Sequence, residues 1–490
     1  MSGLLVGDVF ANAARAVPDR VAVVVGQRTL TFGELDAAAN RVARALGADG
    51  VRPRDRAVVL ATTSLELVPV FAAAAKLGAV FAPANPSLPT AEAVDMVKAA
   101  RPRLVVTADE RPDIAGAVDA PVITIDELMA RAAREPAAAH HAAGFGELDP
   151  HVVFFTSGST GRSKGAVISH RVNYLRTHPG ALLEPRGAMV CPYPLFHMGA
   201  WTIALQQWQA RDRTVFVERA DAALVVDAVE RHRATRLNCV PAVWYRILDL
   251  VGGQPARELS SVRFADTGTS ATPVELLTGI KAAFPNAGVR VFYGSTEAGS
   301  VATLEDADVT RKPGSCGVPA PGAELRLGED GELCVRGPHL FDGYFDDPDA
   351  TAAAIVDGWY HTGDLADMDD EGYLTIVGRV RDVVRTGGET VSPAEVEAVL
   401  LGHPAVEDVA VVGLPDPEFG ETVCAVVVVA PGAVPPDVAE LRGHCASRLA
   451  RFKQPRQVAL VDAIPRTAAT GQVQRRLLVE RLSSAAPPAR

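Results

Sequence analysis

Between Val152 and His170 the chain reads VVFFTSGSTGRSKGAVISH, an apolar run that opens into a loop dense in hydrogen-bond donors. Thr156, Ser157, Ser159 and Thr160 offer hydroxyls and Lys164 a positive charge. Gly158, Gly161 and Gly165 let the backbone turn tightly and present its N–H groups to an anion. Such a loop fits a polyphosphate; the plain alternative is a surface turn. It is not a GxxxxGK[ST] loop, because Gly165 follows the lysine where a Ser or Thr would hold magnesium. Lysine is scarce in the chain, six against 42 arginines, so its presence here carries information. Three more polar residues stand in segments suited to chemistry: His197 in YPLFHMGAW, Glu297 in YGSTEAGS and Asp364 in HTGDL. Taken singly, His197 also reads as a satisfied core histidine and Asp364 as a turn residue or helix cap.

In their order along the chain these segments resemble the adenylate-forming superfamily of acyl-CoA synthetases, luciferases and peptide-synthetase adenylation domains. Thr156–Gly165 resembles the phosphate-binding loop and Tyr193–Trp201 the segment bearing the active-site histidine. ADTGTSATP (Ala265–Pro273) is similar to the adenine-contacting strand and turn, and Tyr293–Ser300 to the aromatic-Gly-x-Thr-Glu motif. Trp359–Glu397 matches the next block and PRTAATGQVQRR (Pro465–Arg476) the last. The likeness covers essentially the whole chain.

The resemblance implies that Thr156, Ser157, Gly158, Ser159, Thr160, Gly161 and Lys164 hold the triphosphate. It places Gly268, Ser270, Ala271 and Gly294 at the nucleotide, with Tyr293 stacked on adenine and Thr296 on the α-phosphate. Asp364 would accept both ribose hydroxyls, and Arg379 would donate to ribose or phosphate. Glu297 is the implied metal ligand, and Thr160, Lys164, His197, Glu297 and Gln472 occupy the catalytic positions. His197, Met198, Trp201, Val240, Asp266, Gly268 and Gly294 would line the acid pocket. Arg381 falls at the hinge, and Gly388 where the pantetheine chain of CoA passes, although an ordinary glycine turn reads the same. The implied reaction joins a fatty or aromatic carboxylic acid to Mg·ATP, giving acyl-AMP and pyrophosphate, and then passes the acyl group to CoA. Attack on the α-phosphorus needs positioning and charge neutralisation on phosphate oxygens. One carboxylate plus phosphate oxygens suits Mg²⁺.

The chain departs from the family in three places. Ser163 stands where proline is usual. The last motif ordinarily ends in Gly-Lys, but here Gln472 follows Gly471, with one apparent extra residue after Pro465. A neutral amide donates a hydrogen bond but neutralises no charge. Slow adenylation, another cation (Lys453 or Arg466), an unusual acceptor and an engineered substitution all stay open. Asp266 precedes Thr267-Gly268 and suggests a substrate with an amino or hydroxyl group, unless it pairs with backbone or a neighbouring arginine. Alternatives to CoA ligation are therefore a carrier-protein or amine acceptor, or a nitrite-dependent diazotase. A non-catalytic nucleotide binder is the last option, and Lys164, Glu297, Asp364 and Arg379 speak against it.

The elements that must position these residues alternate from the start. VAVVV leads into TFGELDAAANRVARAL, where Thr31 and Glu34 form a capping box, and strand–helix pairs repeat as far as PVITI. Ala133–Pro150 reads as a surface linker. Beyond Asp364 the pattern predicts a hairpin turning in DDEG, then a helix with Ser392 as N-cap and Glu395 closing its box. Two strands, a helix near DVAELRGHCASRLARF and a strand in RQVALV follow. The expected fold is α/β: a large multi-subdomain N-terminal part, 1–378, with mixed, largely parallel sheets, a hinge at 379–382, and a small mobile α+β C-terminal domain, 383–490.

Composition bounds the rest. With 490 residues, 48% hydrophobic and 22% charged, the chain is globular rather than disordered. A net charge of −11 without basic runs argues against nucleic-acid partners. Six scattered cysteines without a CxxC pair suit a reducing, cytoplasmic setting. No signal peptide or membrane span is expected. A homodimer is carried forward as one option for assembly.

Overall fold

The computed structural model describes residues 3–140, 142–156, 164–181, 186–253, 257–270, 272–380, 382–386, 389–416, 418–467 and 471–484. Contacts divide the chain into two units, Met1–Glu324 with Arg336–Tyr360, and Leu325–Val335 with His361–Arg490. The contact-based division thus groups residues 361–378 with the C-terminal part, upstream of the boundary expected at 379–382.

The first unit is built on two large sheets. One has nine strands among the described residues, in the order Val318–Pro319, Gly299–Leu304, Gly288–Ser295, Phe264–Gly268, Arg236–Cys239, Met189–Cys191, Thr214–Phe216, Val21–Val25 and Arg28–Thr31. From Gly288–Ser295 to Val21–Val25 every pairing is parallel, and the edges are antiparallel. The other sheet orders Gly343–Tyr344, Lys164–Ser169, Pro150–Thr156, Val80–Ala84, Arg56–Leu60, Leu104–Thr107 and Val122–Thr124. It is antiparallel only at its first three strands. The mixed, largely parallel α/β architecture expected from the alternation is present. Parallel strands covered on both faces read as continuous apolar runs, and VFAPA and LVVT are buried at every position.

Local signals explain the joints. Thr31 caps helix Phe32–Ala48 through its hydroxyl (Glu34 N–H, 3.2 Å), and Glu34 answers to the Thr31 N–H (2.8 Å). Arg28–Thr31 ahead of that cap is itself a strand, folded back on Val21–Val25 by a turn with Gly26 at φ +60°. The segment read as a surface linker is docked. The Arg44 guanidinium donates to the carbonyls of Pro136, Ala138 and Ala139, at 2.9, 2.7 and 3.1 Å.

In the second unit, Trp359–Met368 and Leu374–Arg379 form the expected hairpin about 369–373. A further sheet carries Val384–Thr386, Glu389–Val391, Val406–Asp416, Gly420–Val429 and Gln457–Leu460. Alternation along Val406–Asp416 sends Val409 and Val411 to one core with Val396, Leu400 and Leu441. Ala410 and Val412 face the opposite core with Ile464 and Leu478. The box expected at Ser392–Glu395 does not form. Ser392 Oγ donates instead to the Val377 carbonyl, and Glu395 is drawn to Lys453 Nζ, 2.7 Å from both its oxygens. Among the described residues no helix is long and apolar enough to cross a membrane.

Candidate active site

In the first unit, Pro150–Thr156 and Lys164–Ser169 pair antiparallel with Thr156 opposite Lys164, so the two ends of the expected phosphate loop meet. Ser157, Gly158, Ser159, Thr160, Gly161 and Ser163 lie outside the described residues. Lys164 Nζ stands 4.8 Å from the centroid of the Tyr344 ring, a cation–π contact. The Tyr344 hydroxyl donates to Glu297 Oε1 at 3.1 Å. One phenol thus lies between the loop's ammonium and the expected metal-binding carboxylate. Sequence reasoning missed Tyr344, because its strand is two residues long and carries no periodicity.

Glu297 sits in the connection between Gly288–Ser295 and Gly299–Leu304. Gly294 is required there, since a Cβ would lie 2.0 Å from the Gly299 carbonyl oxygen. Arg176, on helix His170–Ala181, braces this connection. Its Nη1 donates to the Thr296 carbonyl (2.9 Å), Nη2 to that of Glu297 (2.6 Å) and Nε to that of His339 (2.7 Å). Burial lowers its pKa to about 10, which leaves it charged at neutral pH. No motif marked this residue.

His197 is the N-cap of helix Met198–Gln209, and its Nδ1 accepts from the Gly199 N–H at 3.1 Å. Burial pushes its pKa down to about 4, so the ring is neutral near pH 7 with its proton on Nε2. Met198 Sδ lies 3.5 Å from Arg176 Nη1. Trp201 corrects the expected pocket. It is 1% exposed, stacks on Phe71 at 4.1 Å and donates Nε1–H to the Leu195 carbonyl, so it belongs to the core. An indole facing both Phe71 and Phe81 leaves no wall to offer a substrate. Val240 is half-buried at the end of Arg236–Cys239.

Asp266 and Arg290 sit opposite each other on neighbouring parallel strands and form a buried bidentate pair at 2.8 and 2.9 Å. The Arg290 guanidinium also lies 3.8 Å from the Phe264 ring centroid. Pairing with a neighbouring arginine, one of the two sequence readings, is therefore the arrangement present. Gly268 permits close approach, since a Cβ would fall 2.3 Å from the Phe292 carbonyl oxygen. Thr269 follows at φ +70°, a conformation that costs a β-branched residue roughly 1–2 kcal/mol. Thr269 and Ser270 are exposed, Tyr293 and Thr296 half-buried, and Ala271 lies outside the described residues.

In the second unit, Asp364 is buried and Arg379 is its cross-strand partner, with Nε 2.8 Å from Oδ1. Gln472 is exposed on a small hairpin. The Thr467 N–H donates to its carbonyl (2.8 Å), and its own N–H to Thr467 Oγ1 (3.1 Å). The two cations considered as stand-ins are engaged, Lys453 by Glu395 and Arg466 by Asp408 at 2.8 and 2.9 Å, and Arg475, nearer in sequence, is held by Asp382 and Glu397. Arg381 and Gly388 lie outside the described residues.

Comparison with known proteins matches residues 10–345 to the AMP-binding enzyme family and 395–470 to the AMP-binding enzyme C-terminal domain. A 3-[(3aS,4S,7aS)-7a-methyl-1,5-dioxo-octahydro-1H-inden-4-yl]propanoyl:CoA ligase of Mycobacterium tuberculosis is 36% identical, over 95% of this chain and 96% of its own. A feruloyl-CoA synthase of Amycolatopsis is 35% identical over 94% and 97%. Among solved structures, o-succinylbenzoate-CoA synthetase of Bacillus subtilis with its acyl-adenylate intermediate aligns at TM-score 0.87, 28% identity, over 98% and 99%. The same enzyme with ATP and magnesium ion aligns at 0.86, again at 28% identity, over 96% and 98%.

Proposed function

Because this chain belongs to the AMP-binding enzyme family, it is an AMP-forming acid–thiol ligase, and we propose that the residues gathered around Lys164, Tyr344 and Glu297 carry its first half-reaction. It activates a carboxylic acid with ATP as the acyl adenylate, releases pyrophosphate, and transfers the acyl group to CoA with release of AMP.

The observation that carries the proposal is the chain of contacts from Lys164 through the Tyr344 phenol to Glu297 and on, through backbone carbonyls, to Arg176. Lys164 balances charge on the triphosphate and the hydroxyls of 156–160 donate hydrogen bonds to it while the acid carboxylate approaches the α-phosphorus, with Thr296 at the α-phosphate. His197, neutral and oriented by Gly199, donates from Nε2 rather than acting as an acid. Gly268, Ser270, Ala271, Tyr293 and Gly294 bind adenine. Asp364 accepts the ribose hydroxyls and Arg379 supports it; both roles rest on the resemblance. In the second half-reaction the lid, 383–490, turns about Arg381 and Gly388 clears the way for pantetheine.

Glu297 fits Mg²⁺. Its carboxylate is half-buried, with Oε1 held by Tyr344 and Oε2 without a partner among the described residues. A single hard oxygen donor suits an ion that keeps waters and phosphate oxygens as its other ligands. When bound, the ion supplies charge neutralisation on the phosphate oxygens.

The acid is fatty or aromatic, held against Met198 and Val240. Arg290 already satisfies Asp266, so the case for an amino or hydroxyl substituent, and with it the diazotase reading, loses its residue. Six buried free thiols support a cytoplasmic setting, and a homodimer stays part of the proposal. Pyrophosphate release measured across aromatic and fatty acids, with and without CoA, tests the reading. Activity with at least one acid and its loss in Lys164→Ala and Asp364→Ala are expected. Wild-type turnover in both variants would refute the site.

A further inference from the structure

We propose that Glu332, Cys334 and His361 form a binding site for one zinc-class divalent transition-metal ion, set against the Thr362-Gly363-Asp364 stretch of strand Trp359–Met368. Strands Glu332–Arg336 and Trp359–Met368 are neighbours in one sheet. Residues two apart on a strand share a face, so Glu332 and Cys334 both meet His361. Their ligand atoms all lie within 4.8 Å of one another. His361 Nδ1 is 2.7 Å from Glu332 Oε2 and 3.6 Å from Cys334 Sγ. A tetrahedral ion with bonds of about 2.0 Å to nitrogen and about 2.3 Å to sulfur sets those two ligands roughly 3.5 Å apart. The sulfur–nitrogen edge already has that length, and only the carboxylate must swing outward.

Charge and ligand chemistry agree. A cysteine thiol ordinarily keeps its proton near neutral pH. A divalent ion displaces that proton to solvent, and with one thiolate, one carboxylate and a neutral imidazole the site is uncharged overall. The Nδ1 proton moves to Nε2. Sulfur and nitrogen donors select zinc or cobalt over Mg²⁺, which takes oxygen, so the site does not compete for the ion of the nucleotide. The His361 side chain is 32% exposed, which leaves an open side for a water as fourth ligand and makes the ion exchangeable.

The position has a consequence for the enzyme. Glu332 Oε1 accepts the Gly363 N–H at 2.8 Å, Thr362 Oγ1 donates to the Leu333 carbonyl at 2.8 Å, and the Asp364 N–H donates to Thr362 Oγ1 at 3.0 Å. Turning the Glu332 carboxylate onto an ion releases Gly363 and shifts Asp364. Zinc therefore weakens ATP binding, an effect that rests on Asp364 holding the ribose.

Titrating the metal-free full chain with Co²⁺ tests the site. The expected result is a thiolate-to-cobalt charge-transfer absorption that saturates at one equivalent, is displaced by Zn²⁺ and is untouched by excess Mg²⁺. Cys334→Ser and Cys334→Ala should both lose the band while keeping the wild-type circular dichroism. No band in the wild type, or a band that survives in folded Cys334 variants, overturns the proposal. ATP affinity should fall roughly fivefold with Zn²⁺ in the wild type and not in Cys334→Ser. A Cys334-dependent band with ATP affinity unchanged leaves the metal site standing and overturns its coupling to Asp364.

Discussion

Replacing Gln472 by lysine should accelerate adenylate formation. The residue is exposed and tied to Thr467 by its own backbone, with Gly471 at φ +69°, so a longer side chain has solvent to extend into. Lys453 and Arg466 are engaged, and withdrawing either would strip Glu395 or Asp408 of its partner. A neutral hydrogen bond contributes about 0.5–1.5 kcal/mol and one to a charged group about 1.5–3 kcal/mol. The difference between midpoints, about 1.2 kcal/mol, corresponds to roughly eightfold in rate if it is expressed in the transition state. Single-turnover pyrophosphate release with the best acid substrate reads this step. Thioester formation from preformed acyl adenylate should change little, because in the proposed cycle the lid has by then turned Gln472 away. An unchanged or slower first step in Gln472→Lys would refute the reasoning and favour a reaction adapted to a neutral residue.

Tyr344→Phe keeps the ring beneath Lys164 but deletes the bond to Glu297, so the Mg²⁺ concentration for half-maximal pyrophosphate release should rise about tenfold while the KM for ATP at saturating Mg²⁺ holds. Tyr344→Leu should raise both. Arg290→Met strands the buried Asp266 carboxylate and should cost about 3–5 kcal/mol in urea unfolding, most of it recovered in the Asp266→Leu, Arg290→Met double variant. His170, neighbour of buried His151, has its pKa lowered by burial to about 4 despite the opposing charge of Asp149, and that of His151 is lowered as well. The unfolded chain binds more protons below about pH 6.5, so stability should be full above that value and fall as pH drops towards 4. His170 accounts for about 2 kcal/mol of this at pH 5. Urea midpoints of His170→Gln should show a shallower slope over that window.

The fold was legible because its signals are local and repeated. Continuous apolar runs marked the parallel strands, and the Thr31–Glu34 box marked a helix start to the residue. The Ser392–Glu395 pattern misled for an equally physical reason: Lys453, 58 residues away, competes for the Glu395 carboxylate and wins. In the candidate site, sequence reasoning could propose residues carried by glycine-bearing motifs. Tyr344 and Arg176 were not, since their importance lies in what they touch. Trp201 misled because an aromatic beside the histidine segment reads as a wall until Phe71 is placed against it.

The sequence by itself determined the α/β class and the family, and it proposed the loop around Lys164 and the acids at 297 and 364, because each depends on residue types at short spacings. The tertiary structure alone decided the partners. It put Arg290 on Asp266, Arg176 under the Thr296 and Glu297 carbonyls, Tyr344 between Lys164 and Glu297, and His361 against Cys334. Strand order sets those pairs: parallel neighbours are joined through long crossovers, so residues that meet across a sheet are separated in the chain by intervals the local pattern does not encode.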